Sequence, residues 1–324
     1  MRRRTGRFDF GAACAAAAGA LCVAAACGCG NDAQAPAAPV AQQQRKGEIP
    51  EGPPSVPGRA EVPADLGSGH VYDDGTLGRF RNLLRVGAWR LAAPPRNAQG
   101  MLVADHVASG LRFVLVPAGR FRMGAESGGA DERPVREIAA GAFLIAQTEC
   151  TQDAWDRIGG TDERARKAPE LPIDSVSWDD AKAWCGKAGL RLPTEAEWEY
   201  ACRAGTTSDW SFGSDASRIA AHATYVENSG GGSCGTAARE PNPWGLRDCH
   251  GNLYEWCEDV HHASYEGAPN DAGAWTAPTD VSYRVLRGGA WNETPWKCRS
   301  SARTGARPGF RFFILGFRPA ASLP

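Results

Sequence analysis

The 324-residue chain carries 36 basic and 37 acidic residues, for a formal charge of −1, with 43% hydrophobic and 23% charged residues. This composition excludes a wholly disordered chain, a collagen-like repeat and a polytopic membrane protein, and it offers no basic field for nucleic acid. Its 39 Gly, 22 Pro and 11 Trp point to a loop-rich, aromatic-cored fold rather than a helical bundle.

At the N-terminus, Arg2, Arg3, Arg4 and Arg7 precede a run of Ala, Gly, Cys, Leu and Val from Phe10 to Ala26. A positive segment followed by a short apolar stretch has the form of an export signal, and it is too short and Ala-rich for a membrane span. Leu21-Cys22-Val23-Ala24-Ala25-Ala26-Cys27-Gly28 resembles a bacterial lipobox, in which small residues lead into the cysteine that is lipidated after cleavage. Residues 1–26 are therefore expected to be a lipoprotein signal, with Cys27 as the lipidation site. Ala24 stands where Leu is usual, which keeps Cys29 as an alternative acceptor. The domain is then exported to the periplasm or outer membrane, attached to the membrane through its lipid alone, in an oxidising compartment where disulfides persist.

Residues 27–66, rich in Ala, Pro, Gln and Gly, have no buriable period and are expected to form a disordered tether. Residues 67–109 form a connecting segment, whose Val71-Tyr72, Phe80, Leu83-Leu84 and Trp89 suit one or two strands at the edge of a domain over 110–322. Within that domain, Leu111 to Val116 reads as a β-branched-rich strand closed by the turn signal Pro117-Ala118-Gly119. Phe143 to Ala146 reads as a second strand. Thr151 caps a short helix through Trp155 and Ile158. Ser177 caps another, whose Trp178, Ala181, Trp184 and Cys185 share one face. Thr194 and Glu197 form a capping box, with Gly205 as the stop. Short strands and long loops follow.

Nine phrases in order along the chain carry a resemblance: Phe113 to Gly119, Phe121 to Gly124, Glu149 to Gln152, Val176 to Ala181, Arg191 to Ala201, Asn242 to Leu246, Gly251 to Trp256, Arg287 to Trp291 and Gly316 to Arg318. Together they resemble the formylglycine-generating enzyme (sulfatase-modifying factor) family. The resemblance implies an α+β, C-type-lectin-like fold with short strands, few helices and long loops, often stabilised by calcium.

In the oxidising members, an Arg-Gly-Gly-Ser segment leads to two cysteines that bind copper(I) and use oxygen to convert a sulfatase cysteine to formylglycine. Soft thiolates select copper(I). This chain has Ala290 in place of the Ser, Glu293 in place of the first Cys, and Cys298 at the second. Copper is therefore not expected, and the domain is expected to be a non-catalytic binding or maturation factor at the cell envelope. The alternative is a copper-dependent oxidoreductase, for which Cys298 and Glu293 are the candidate catalytic residues.

The resemblance also implies a calcium loop in which Glu255 and Asn252 join His250, Gly251 and Leu253, hard oxygen donors suited to that ion. It implies a ligand groove lined by Trp256 and Trp291 beside Arg287, for an envelope protein, peptide or glycan. Seven cysteines lie in the domain. Cys257–Cys298 is the expected disulfide, closing the groove and removing the last thiol from chemistry, and Cys185 and Cys202, on consecutive helices, are candidates for a second. Arg299, Arg303, Arg307 and Arg311, at a spacing of four, are expected to form a solvated face.

Overall fold

In a computed structural model, residues 72–324 are described, apart from 162, 163, 165 and 278–282. The signal, the tether and Cys27 lie outside the described residues. The described residues open with α1 (Asp74–Arg85), whose first-turn amide on Thr76 is capped by the Asp73 carboxylate at 2.8 Å. This helix was not expected from the sequence. Its buried Phe80, Leu83 and Leu84 lie at the i, i+3, i+4 spacing of an amphipathic face. β1 (Trp89–Arg96) and β2 (Leu102–His106) follow.

These strands are more than an edge appendage. With β3 (Arg112–Val116), β6 (Phe143–Ala146) and β11 (Ala320–Ser322) they form a five-stranded sheet in the order β1-β2-β3-β6-β11. Phe113 to Val116 and Phe143 to Ala146 are buried along their whole length, because both faces of these central strands are covered. That is why they read as continuous apolar runs rather than as alternating ones. β4 (Gly119–Met123) and β5 (Arg136–Ala140) make a separate antiparallel ribbon.

Three helices take the expected caps. α2 (Gln152–Arg157) starts at Thr151, whose hydroxyl accepts from Ala154 N. α3 (Trp178–Ala188) starts at Ser177 with Asp180 completing a capping box, and buries Ala181, Trp184 and Cys185. α4 (Glu195–Arg203) starts at the Thr194–Glu197 box and ends in left-handed backbone at Ala204. After the single turn of α5 (Ile219–His222) comes a second sheet, in the order β10-β7-β8-β9. It comprises β7 (Tyr254–Val260), β8 (Arg284–Arg287), β9 (Arg303–Ala306) and β10 (Leu315–Gly316). No helix among the described residues is long and apolar enough to cross a membrane.

In the main core Trp155 and Trp184 stack while Phe317 meets both edge-on, with ring centroids 5.4–6.2 Å apart. Four carboxylates and three arginines are buried in the same region: Glu149, Glu195, Glu199, Glu255, Arg287, Arg303 and Arg318. Buried charge is costly unless paired, and each of the three arginines meets one of these carboxylates, while Glu149 accepts from the Asn252 amide and Leu253 N and is pushed well up by burial and by the charges of Asp248 and Glu255. Arg303 grips Glu195 through two bonds of 2.6 and 2.7 Å, Arg287 meets Glu199, and Arg318 meets Glu255.

Candidate functional site

The site is built where β8 ends. After Arg287 the backbone turns through Gly288 and Gly289, with φ of +93° and +77°. A Cβ on Gly289 would lie 2.8 Å from Cys298 Sγ and 2.9 Å from the Lys297 carbonyl. Glycine is therefore required for this turn to close on the short 3-10 helix Pro295–Cys298. Trp291 N donates to the Asn252 carbonyl at 2.8 Å, and Val226 N donates to the Glu293 carbonyl at 3.0 Å. The segment is thus stitched to the loops on both sides.

Tyr254, at the start of β7, donates its hydroxyl to Glu293 Oε1 at 2.9 Å. Burial and the neighbouring Glu293 carboxylate push the Tyr254 phenol well up. The Cys298 side chain is fully buried in a small cluster with Trp210, Ile219, Ala223 and Tyr225. Burial, and then the Glu293 charge, push its thiol up. The predicted site residues Glu293 and Cys298 are thus brought into one electrostatic neighbourhood, but as a half-exposed carboxylate and a buried neutral thiol.

His250 fixes this segment from beneath. Its Nδ1 lies 2.8 Å from the Cys298 carbonyl, and its Nε2 accepts from Ser211 N at 3.2 Å. A carbonyl facing Nδ1 and an amide facing Nε2 assign the proton to Nδ1. Burial lowers the pKa of the ring, so His250 serves as a neutral strut.

The groove expected from the sequence is only partly present. Trp256 has 0% of its surface exposed and donates Nε1 to the Val176 carbonyl at 3.0 Å, so it belongs to the core. Arg287 also has no exposed surface. It donates to the carbonyls of Ser300, Ser301 and Ala302 at 2.8–3.0 Å and holds the chain behind Cys298. Trp291 alone keeps a solvent-facing edge. Its ring centroid lies 5.7 Å from that of Phe313, which lies 4.2 Å from Phe312, itself 5.9 Å from Phe310. Phe310 and Phe313 are 44% and 46% exposed. The sequence reading missed these three phenylalanines. Their signal was a run of aromatics in a loop without periodicity, directly after Gly309.

That loop is held rigidly. Trp178 N donates to the Pro308 carbonyl at 2.9 Å, Ser175 N donates to the Phe312 carbonyl at 3.2 Å, and Arg311 grips Asp180 through two bonds of 2.7 Å. The spacing-four arginines do not form one solvated face. Arg299 is buried on Glu132 through bonds of 2.7 and 2.9 Å, and Arg303 on Glu195. Arg307 is exposed.

The calcium loop does not fit calcium. Both oxygens of Glu255 are taken by Arg318, at 2.7 and 2.9 Å, and Oε2 also accepts from Trp198 Nε1 at 2.6 Å. The Asn252 amide donates to Glu149 Oε2 at 2.6 Å and accepts from Cys234 N at 3.0 Å, while Leu253 N donates to Glu149 Oε1. Gly251 N donates to the Gly288 carbonyl at 2.7 Å and Asn252 N to the Thr224 carbonyl at 2.8 Å, which pins the backbone of this loop. The guanidinium of Arg318 supplies the positive charge that an ion would otherwise bring. Copper(I) fares no better, since Glu293 and Cys298 do not offer two soft, accessible donors.

The pairings considered from the sequence are not brought together, and the seven described cysteines are unpaired in this structure. Cys298 belongs to the small cluster beside Trp210, whereas Cys257 lies in the main core. Cys185 lies on the buried face of α3 near Cys150, while Cys202 faces Cys249.

The family model of the sulfatase-modifying factor enzyme 1-like domain matches residues 99–323. A formylglycine-generating enzyme of Bos taurus is 37% identical over 185 residues, covering 52% of this chain and 48% of its own length. A serine/threonine-protein kinase, pkn1, of Chlamydia caviae is 31% identical over 236 residues, covering 64% of this chain and 37% of its own. The chain thus spans between a third and a half of these curated relatives. The solved structure of PvdO from Pseudomonas aeruginosa superposes with a TM-score of 0.62 at 31% identity, over 68% of this chain and 98% of that one. The α+β, sulfatase-modifying-factor fold expected from the sequence is the fold observed.

Proposed function

The chain belongs to the sulfatase-modifying factor enzyme 1-like domain family, and from that premise we propose an exported, lipid-anchored member that binds a ligand at the cell envelope and lacks formylglycine-forming chemistry. The observation that carries this reading is the state of Glu293 and Cys298. A copper(I) oxidase of this family needs a pair of soft thiolates, whereas here one position is a hard carboxylate held by the Tyr254 hydroxyl and the other a buried thiol kept protonated. The binding half of the reading rests on the row formed by Trp291, Phe313, Phe312 and Phe310. Exposed aromatic surface of this kind marks interaction sites, and a loop pinned in advance loses little freedom when it binds. The ligand is an envelope protein, peptide or glycan that presents an apolar face to these rings.

Copper(I) titration against the coloured bicinchoninate complex tests the first half. The protein is expected to withdraw no stoichiometric copper(I), and a one-to-one complex lost in Cys298→Ala would overturn the reading. Fractionation of a bacterial host tests the second. The full chain is expected with membranes and Cys27→Ala in the soluble exported fraction, whereas recovery of both from the cytoplasm would refute export.

A further inference from the structure

Cys202 and Cys249 meet on the inner side of the candidate site, away from every pairing expected from the sequence. Cys202 lies in the last turn of α4, with 1% of its surface exposed, and Cys249 immediately precedes His250, with 5% exposed. Cys202 Sγ lies 3.8 Å from the Cys249 carbonyl and 3.9 Å from His250 Nε2. The Cys249 thiol turns back toward the Arg247 carbonyl at 3.8 Å, within hydrogen-bonding reach of the Cys202 thiol. The two cysteines thus meet in a dry interior.

We propose that Cys202 and Cys249 are a dithiol that closes into a disulfide while the chain folds in the presence of a small-molecule or protein disulfide. The step is an ordinary double exchange. One thiolate attacks a sulfur of the oxidant to give a mixed disulfide and release one thiol. The second thiolate displaces the other half, so that both cysteines are oxidised by two electrons and the oxidant is reduced to two thiols. The bond forms during folding rather than afterwards for a physical reason. In the folded protein the hydrogen bond that the Cys249 thiol makes to Cys202, together with burial, pushes that thiol well up, and exchange needs the thiolate.

The crosslink has a structural consequence for the site. It joins residues 47 apart in sequence, tying α4 to the segment that carries His250. His250 in turn holds the Cys298 carbonyl. Oxidation therefore braces the turn that bears Glu293 and Cys298 without touching either side chain. It does not depend on the ligand reading above, because it concerns only the thiols.

The test is refolding of the reduced, unfolded full chain in a mixture of reduced and oxidised glutathione. Free thiols are then alkylated, and the protein is cut with trypsin and a Glu-specific protease. The expected product is one crosslinked species joining the fragment Tyr200–Arg203 to the fragment Asp248–Glu255, two mass units below the sum of the free peptides. It is lost in Cys249→Ser. The oxidised chain is expected to melt higher than its reduced form by on the order of 10 °C. Alkylation of both cysteines in the refolded chain, or Cys202 bonded to any other cysteine, would overturn the proposal.

Discussion

Arg318 closes on Glu255 through two hydrogen bonds of 2.7 and 2.9 Å, at a depth where neither side chain reaches solvent. The guanidinium also donates to the carbonyls of Ala146, Gln147 and Arg247, so one arginine joins the end of β6, the loop at Arg247 and the start of β7. Burial of this kind is tolerated only while both partners are present.

Glu255→Gln is therefore predicted to destabilise the chain by about 3–5 kcal/mol, the cost of leaving one member of a buried pair uncompensated. Urea denaturation with and without millimolar calcium checks both parts of the account. Calcium is expected to leave the wild-type transition unchanged, because Glu255 is already satisfied. A calcium-dependent rise in the midpoint would return this loop to metal binding.

Trp256 and the exposed phenylalanines are predicted to behave in opposite ways. Trp256→Ala removes a fully buried indole and should cost about 3–5 kcal/mol. Phe310→Ala and Phe313→Ala alter half-exposed rings and should cost under about 1 kcal/mol. Equilibrium unfolding of the three variants distinguishes core from binding surface. A small effect at Trp256 would place it in the groove after all.

Asp259 supplies a pH dependence with a definite sign. Its two carboxyl oxygens accept from Glu195 N and Trp275 N, each at 2.7 Å. Burial, and then the charge of Glu195, push its pKa up to about 7 from 3.8. A raised carboxyl pKa means that the folded chain holds a proton the unfolded chain has released. The ionisation penalty is absent below about pH 4, grows as the pH rises and is complete above about pH 7. Asp259→Asn does not titrate. The stability of wild type minus that of Asp259→Asn is therefore predicted to fall between pH 4 and pH 8 by up to a few kcal/mol, on the order of the roughly three-unit shift. A difference that stays flat over this range would contradict the assignment.

Much of the fold was legible because its signals are local. Thr151, Ser177 and Thr194 each accept from the amide that their cap position demands, and the apolar runs at Phe113 and Phe143 became central strands. α1 escaped notice because it lies in a segment that read as an extended edge. The site was harder, because motif positions do not reveal who pairs with whom. Glu255 reads as a metal ligand until Arg318, 63 residues away in sequence, arrives on it. Arg287 reads as a groove cation until Glu199 and three carbonyls claim it. The cysteines followed the same pattern. Adjacency of helices suggested Cys185 and Cys202, but the buried face of α3 turns Cys185 toward Cys150.

The central claim is that the family's fold persists here around a Glu293–Cys298 pair that does not form formylglycine. The most direct test incubates the full chain with copper(I), oxygen, a reductant and a peptide carrying a Cys-x-Pro-x-Arg motif, and seeks the aldehyde by mass spectrometry beside an active family member. No aldehyde is expected from this chain while the control converts fully. Aldehyde formation that disappears in Cys298→Ala would contradict the account and show that one thiolate suffices.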